Sequence, residues 1–378
     1  MISGRLLFYA LSGTFFFIPL STSLTAVMGT AALAVWLFSG RFVKDRACWA
    51  GEGWVKPVVL FMLLPVAGLL WGPDIASGAD FVKKGRYWLY AFVIASIAPK
   101  AQRRAMLGAF LAGLSLNAGY SLLQAGGVLP MTSGMATGFL HRGHIAYSLL
   151  LVFGMLLLSF WFKGSGSKRA RISQVLLMGV YFASLASVPG RIGYLAFIVL
   201  SPWILYNILG KRFLMVSAGV VILGAALFSS PVARQRVGLA AGDIEAYGAG
   251  NKATSLGLRF YMWKGAIKVF LENPILGTGT GGYKSAMQKY KEPGLPDVDH
   301  PHNSFLYMAV SFGIIGLMSL SWLFYAFLKK GWQARATAEG FAVLSFGVVI
   351  FLGSMTDAMV ISAAPAQMFA LLAGLRTD

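Results

Sequence analysis

The sequence predicts an all-α polytopic membrane protein, with about twelve transmembrane helices and one large, partly helical loop. Three observations predict it. Of 378 residues, 57% are hydrophobic and 12% charged, with a mean hydropathy of +0.70, a composition that excludes a set of soluble domains. Apolar runs long enough to cross a bilayer recur along the chain. Between them, Lys and Arg cluster in alternate connections, as the positive-inside rule requires.

Crossing the hydrocarbon takes about 20 mostly apolar residues. Leu6–Pro19 and Leu24–Gly40 form the first two runs. Arg5 gives the first run the look of a signal peptide, but no small-x-small cleavage site follows and the second run begins almost at once, so it reads as a retained helix. Val55–Trp71, Tyr87–Ala98 and Met106–Gln124 come next, then Ile145–Phe162, Ser173–Ser187, Ile192–Leu209 and Phe213–Phe228. After a long polar stretch follow Phe305–Leu328, Phe341–Met355 and Met359–Leu375. The chain thus divides into 1–228 with nine spans, a loop at 229–303, and 304–378 with three spans.

With both termini inside, the inner segments hold 18 Lys and Arg against four acids, a net of +14 out of +19. Lys163, Lys168, Arg169 and Arg171 form one such segment, and Lys329, Lys330 and Arg335 another. Most of the basic excess is therefore topology, and nucleic acid, the usual inference from a pI near 10.1, drops out. The single cysteine, Cys48, excludes a disulfide within the chain and a zinc site built on thiolates.

The loop at 229–303 lies outside by this topology, and loops of that length are usually functional. It is polar around Asp243 and Gly248–Lys252, then shows one helical pattern with Ser255 as N-cap, stopped by Asn273-Pro274. On that helix Arg259, Trp263, Ala266 and Phe270 share one stripe, with Lys264 and Lys268 nearly opposite and solvated. Arg259 has two readings: an arginine snorkelling along apolar surface, or a desolvated guanidinium aimed at an anion. Gly277-Thr-Gly279-Thr-Gly281-Gly282 fails as a nucleotide loop, because Tyr283 and not Gly precedes Lys284. It reads as a tight, flexible return towards the membrane.

All four histidines, His141, His144, His300 and His302, fall on the outer side. Two pairs raise the possibility of a metal site with help from Asp297 and Asp299, but no familiar ligand spacing is present, and no metal or cofactor is expected. His302 stands where the polar loop returns to the bilayer beside Asn303, a position in which a neutral imidazole accepts a proton from a hydroxyl. Arg191, after Pro189-Gly190, has almost no loop around it and lies at the outer headgroup level. It is either a functional cation or a snorkelling anchor. Lys83, Lys84 and Arg86 form a further outer cluster. None of these groups has an acid close by in sequence to neutralise it. One base and several cations suit a substrate that carries its own negative charge, such as a lipid diphosphate.

Arg259-x-x-x-Trp263-x-x-Ala266, Asn273-Pro274-x-x-Gly277-x-Gly279-x-Gly281, and His302-Asn303-Ser304-x-Leu306 running into Gly313-x-x-Gly316 resemble the shared region of the O-antigen ligases and related polymerases. The match covers Leu258 to Leu317. Pro189-Gly190 departs from it, since small polar residues are commoner before that arginine. The resemblance implies a metal-independent, inverting glycosyltransferase of a Gram-negative inner membrane, with its active site facing the periplasm. It would move O-antigen glycan from undecaprenyl diphosphate to a sugar hydroxyl of lipid A-core, so its partners would be donor, acceptor and membrane lipids. His302 would be the base, with Arg191 and Arg259 on the diphosphate; Lys84, Arg86 and Asn303 would bind the diphosphate or the acceptor. An O-antigen polymerase, a protein O-glycosyltransferase and, from another class, a lipid-linked oligosaccharide flippase remain alternatives.

Overall fold

A computed structural model describes residues 2–97, 99–131, 135–139 and 143–378, so His141 and Ala98 lie outside the described residues. Every element in it is helical. α1 (Ile2–Phe17) and α2 (Thr22–Phe38) form an antiparallel pair, its turn closed by Ser21, whose hydroxyl accepts from the Leu24 N–H. Then come α3 (Arg41–Lys44), α4 (Val55–Ala67), α5 (Ile75–Lys84), α6 (Leu89–Ala95) and α7 (Lys100–Ala125). Next follow α8 (His144–Gly164), α9 (Lys168–Ser187), α10 (Arg191–Leu209) and α11 (Phe213–Ser229). α12 (Pro231–Gly248), α13 (Ser255–Glu272) and α14 (Gly282–Gln288) fill the stretch that sequence reads as a loop, and α15 (Ser304–Gln333), α16 (Ala338–Ser354) and α17 (Ala363–Gly374) complete the chain.

α8 is the centre of the molecule. Its residues Tyr147 to Ser159 are all buried, as expected of a helix that is apolar all round, and it packs against α9, α10 and α16. Among the described residues each of the twelve apolar runs overlaps a helix, but length and composition qualify five helices as able to cross a membrane: α7, α8, α9, α10 and α15. α11 and α12, bent by 86°, make a sixth if counted as one. Among the described residues, the run that starts at Tyr87 contains the end of a 3-10 turn, Gly85–Trp88, and then the seven-residue α6, which is about 10 Å of α-helix. It lies against α17, backbone to backbone, since a Cβ on Gly374 would meet the Ala91 carbonyl oxygen at 1.8 Å. Several crossings are thus supported, and the count of twelve stands on the sequence pattern.

Two features of the loop differ from the expectation. Besides the one helix expected there, α12 and α14 are present. α13 is capped by Thr254, whose hydroxyl accepts from the Gly257 N–H at 3.2 Å, with Ser255 as its first residue. The glycine-rich run is wedged in place. Gly277, Gly279 and Gly281 have φ of 66°, 78° and 84°, values that side chains other than glycine resist. The strap lies against a break in α15 at Phe312–Gly313. Thr278 and Gly279 donate their N–H groups to the Val310 and Ser311 carbonyls at 2.9 Å, and Ile314 donates to Pro274 at 2.8 Å. The other side is held by α4, where the Thr280 hydroxyl donates to the Pro65 carbonyl at 2.6 Å. Backbone polar groups freed by the break are satisfied within the protein, the condition under which irregular backbone survives inside a helical bundle.

Candidate active site

The site forms where the start of α15 meets the connection from α16 to α17. Asn303 caps α15, its Oδ1 accepting from the Phe305 and Leu306 N–H groups at 2.9 and 3.0 Å. Its amide also donates to the Met355 carbonyl at 2.9 Å, and the Ser304 hydroxyl donates to the Asp357 carbonyl at 2.9 Å. These bonds hold His302 in a left-handed conformation, φ 47°, the one non-glycine residue among those described with positive φ. Asn303 is therefore largely committed to positioning.

His302 Nδ1 lies 3.0 Å from Asp357 Oδ1, with the histidine side chain 38% exposed and the carboxylate 15%. Burial pushes the Asp357 carboxyl up. The hydrogen bond from His302 and the Ala358 backbone N–H pull it down further, so the net shift is below its ordinary 3.8. An ionised Asp357 favours the tautomer that carries its proton on Nδ1, in which Nε2 is the acceptor. His300 stands behind, its ring 4.3 Å from that of His302 and its Nδ1 accepting from the His302 N–H at 3.3 Å. Burial, then the neighbouring His302, lower its pKa, keeping it neutral. His300, His302 and Asp357 also bring one potential ligand atom each within 4.8 Å of one another, enough to hold a metal ion. Asp297 and Asp299 are engaged elsewhere, with Lys291 at 2.5 Å and Lys284 at 3.3 Å.

Beside this pair, reached through Thr356, opens a cavity of about 180 Å³ lined by Arg191, Arg236, Arg259 and His144. The first residues of three helices border it: His144 of α8, Arg191 of α10, and Ser255 and Leu256 of α13. Helix N-termini carry a partial positive charge, so three of them beside three guanidiniums give the cavity a positive character, offset in part by Asp243, which accepts from the Leu256 N–H. Gly190 permits this arrangement, because a Cβ there would meet Ser148 Oγ of α8 at 2.6 Å. Burial lowers the pKa of Arg259, which Asp357 partly offsets, and the group remains charged. α13 is tied to the histidine segment by Trp263, whose indole N–H donates to the Pro301 carbonyl at 2.9 Å. The buried face of α13 centres on Met262, Ala266 and Val269. The stripe read from sequence sits at its edge, where Arg259 meets the cavity.

Residues 135–321 match the family model described as O-antigen ligase. The chain belongs to the O-antigen ligase family. An uncharacterized protein of Haemophilus influenzae is similar to it, 26% identical over 196 residues that make up 49% of each chain. The chain therefore spans about half the length of that relative. The family stretch contains Arg191, Arg236, Arg259 and His302 and leaves Lys84 and Asp357 outside it.

Not every residue singled out in the sequence gathers here. Exposed Lys84 is within electrostatic reach of His300. Arg86 instead stacks over Tyr87 at 5.5 Å. Lys264 and Lys268 are exposed, with Lys268 over the Tyr290 ring at 5.1 Å. Two of the cations do have acids: Lys83 pairs with Asp80 one turn upstream at 2.8 Å, and Arg191 with Asp243 at 3.3 Å. Asp80, three residues before Lys83, was within reach of the sequence. Asp243, which also accepts from the Leu256 N–H at 3.3 Å, was not, because the unforeseen α12 delivers it. The same helix supplies Arg236, and a connection 55 residues downstream of His302 supplies Asp357.

Proposed function

We propose that this member of the O-antigen ligase family is itself an O-antigen ligase of a Gram-negative inner membrane. In this reading it transfers glycan from undecaprenyl diphosphate to a sugar hydroxyl of lipid A-core. The segment 229–303, with the cavity beneath it, faces the periplasm and the termini face the cytoplasm. The reading rests on one observation above others: an oriented His–Asp pair adjoins a cavity walled by three arginines.

The chemistry follows from that arrangement. Arg191, Arg236 and Arg259 take the donor's diphosphate, which sets the anomeric carbon towards His302. His302 Nε2 accepts the proton of the acceptor hydroxyl as its oxygen attacks that carbon from the face opposite the diphosphate. The new C–O bond forms while the bond to the diphosphate oxygen breaks with inversion, and the departing negative charge is met by the guanidiniums and helix N-termini. Asp357 keeps the imidazole in the accepting tautomer and stabilises the imidazolium that results. A diphosphate leaves without a general acid. Lys84, near His300, is placed to meet phosphate groups of the acceptor.

Purified protein incubated with lipid-linked glycan and lipid A-core, without nucleotide, should yield ligated lipopolysaccharide. Product from the glycan donor alone would assign a polymerase, and no product with any acceptor would overturn the transferase reading in favour of a flippase. The same reaction with EDTA, and with zinc restored, tests the His300–His302–Asp357 cluster. Loss and recovery would replace the base mechanism with a metal-assisted one.

A further inference from the structure

α8 and α10 run from the arginine cavity to a second basic surface at their other ends. From His144 to Lys163 along α8 is about 28 Å, and from Arg191 to Tyr206 along α10 about 22 Å, close to the thickness of a hydrocarbon core. A cavity of about 600 Å³ opens there between Lys163, Tyr206, Asn207 and Arg335 over a floor of Phe160, Trp203 and Phe341. The floor is a cluster of rings, with Phe160 stacked on Phe341 at 4.4 Å and Trp203 edge-on to Phe341 at 5.0 Å. A second cavity of about 460 Å³ shares Lys163, Tyr206 and Asn207 and adds Arg171 and Lys211. A third, of about 680 Å³, shares Trp203 and is otherwise walled mainly by Tyr325, Leu328, Leu344 and Val348.

Cations at this end orient the helices whatever else they do. Orientation needs no cavity, no aromatic floor and no exclusion of acids, yet among the described residues no acid lines any of the three. The acid nearest in sequence, Glu339, is fully buried and faces Arg103 and Arg104. Several of the cations rest on rings, Lys163 over Tyr206 at 5.7 Å and Arg335 over Trp332 at 4.4 Å, leaving donors for an anion.

We propose that this end of the bundle binds an anionic phospholipid from the leaflet opposite the arginine cavity. Its phosphate lies between Lys163 and Arg335, with Arg171 and Lys211 at the rim, and one acyl chain runs along Trp203, Leu344 and Val348. A basic pocket joined to an apolar groove at this depth is the chemistry that selects such a headgroup.

Native mass spectrometry of the purified full chain in neutral detergent tests this without any glycan donor, and so independently of the proposed transfer. Phosphatidylglycerol should be retained about tenfold more tightly than phosphatidylcholine of equal chain length, and Lys163→Gln with Arg335→Gln should lower that retention by about tenfold. Equal retention of the two lipids, or an unchanged double variant, would overturn the proposal, as would complete displacement by millimolar inorganic phosphate, which would mark a phosphate site. On the unaltered protein, a phosphatidylglycerol with a photoreactive acyl chain should label the peptides around Trp203–Gly210 and Leu328–Val348. Labelling confined to the peptides around Arg191 and Arg259 would refute it.

Discussion

At one end of α8 and α10 one acid pairs with Arg191 and another with His302, whereas among the described residues no acid lines the cavities at the other end. Arg191 is paired with Asp243, while His302 is oriented by Asp357 within reach of Arg259. Lys163, Arg171 and Arg335 rest on aromatic rings or backbone carbonyls, and Lys211 lines the same surface. Both ends are basic, so charge alone does not tell chemistry from anchoring. An acid costs part of the attraction for an anionic ligand and is worth having only where a cation or a histidine must be held in one geometry. The acid-paired end is therefore where single substitutions should change a rate, and the other where they should change lipid retention.

The largest break in that contrast comes from the base. His302→Ala should lower glycan transfer by about 10²- to 10⁴-fold, measured as ligated product per time with purified protein. Near-normal transfer would remove His302 from the reaction. Asp357→Asn should fall in the same range, because an amide no longer fixes the accepting tautomer. The aspartate also has a signature in stability. Its folded pKa lies below 3.8, so its stabilisation is fully present above that value and lost as pH falls through the folded pKa. The unfolding midpoint of the natural protein should therefore drop on acidification below 3.8 by more than that of Asp357→Asn; equal drops would show that the His302 bond contributes nothing to the fold. Arg259→Gln ranks next, at about 10²- to 10³-fold in kcat, as for loss of one group that meets developing charge. A change confined to KM would place Arg259 on the bound donor alone.

How far the sequence discloses this site depends on whether the signal is local. His302 and Arg259 are conspicuous because each is a polar residue on an apolar background, and the helix carrying Arg259 announces its end at Asn273-Pro274. Asp357 and Arg236 carry no such mark. Asp357 sits in a short connection and gains meaning only when α16 brings it to His302, while α12 mixes Arg, Asp and Glu without an apolar stripe. The glycine run was legible as a tight turn and misleading as a flexible one, since its partner, the break at Phe312–Gly313, shows in the sequence as one glycine in an apolar run. Gly279→Ala tests the tightness: a Cβ would lie 2.5 Å from the Gly72 Cα at a φ that costs an alanine extra. The variant should lose at least about 2 kcal/mol of stability, read as a lowered unfolding midpoint in detergent. An unchanged midpoint would mean that the strap gives way.

Trp263→Phe should have the smallest effect and the sharpest meaning. The ring stays, and what is lost is one hydrogen bond from the indole to the Pro301 carbonyl, worth about 1 kcal/mol or roughly fivefold in kcat/KM. If that bond matters because it sets Arg259 at a fixed distance from His302, its loss should cost little once Arg259 has gone. In an Arg259→Gln background the same change should then lower kcat/KM by less than about twofold, a coupling that a double-mutant cycle reads directly. An equal fivefold loss in both backgrounds would show that Trp263 only stabilises the loop. The acid-paired end would then be held together by Asp243 and Asp357 without help from the Trp263 hydrogen bond.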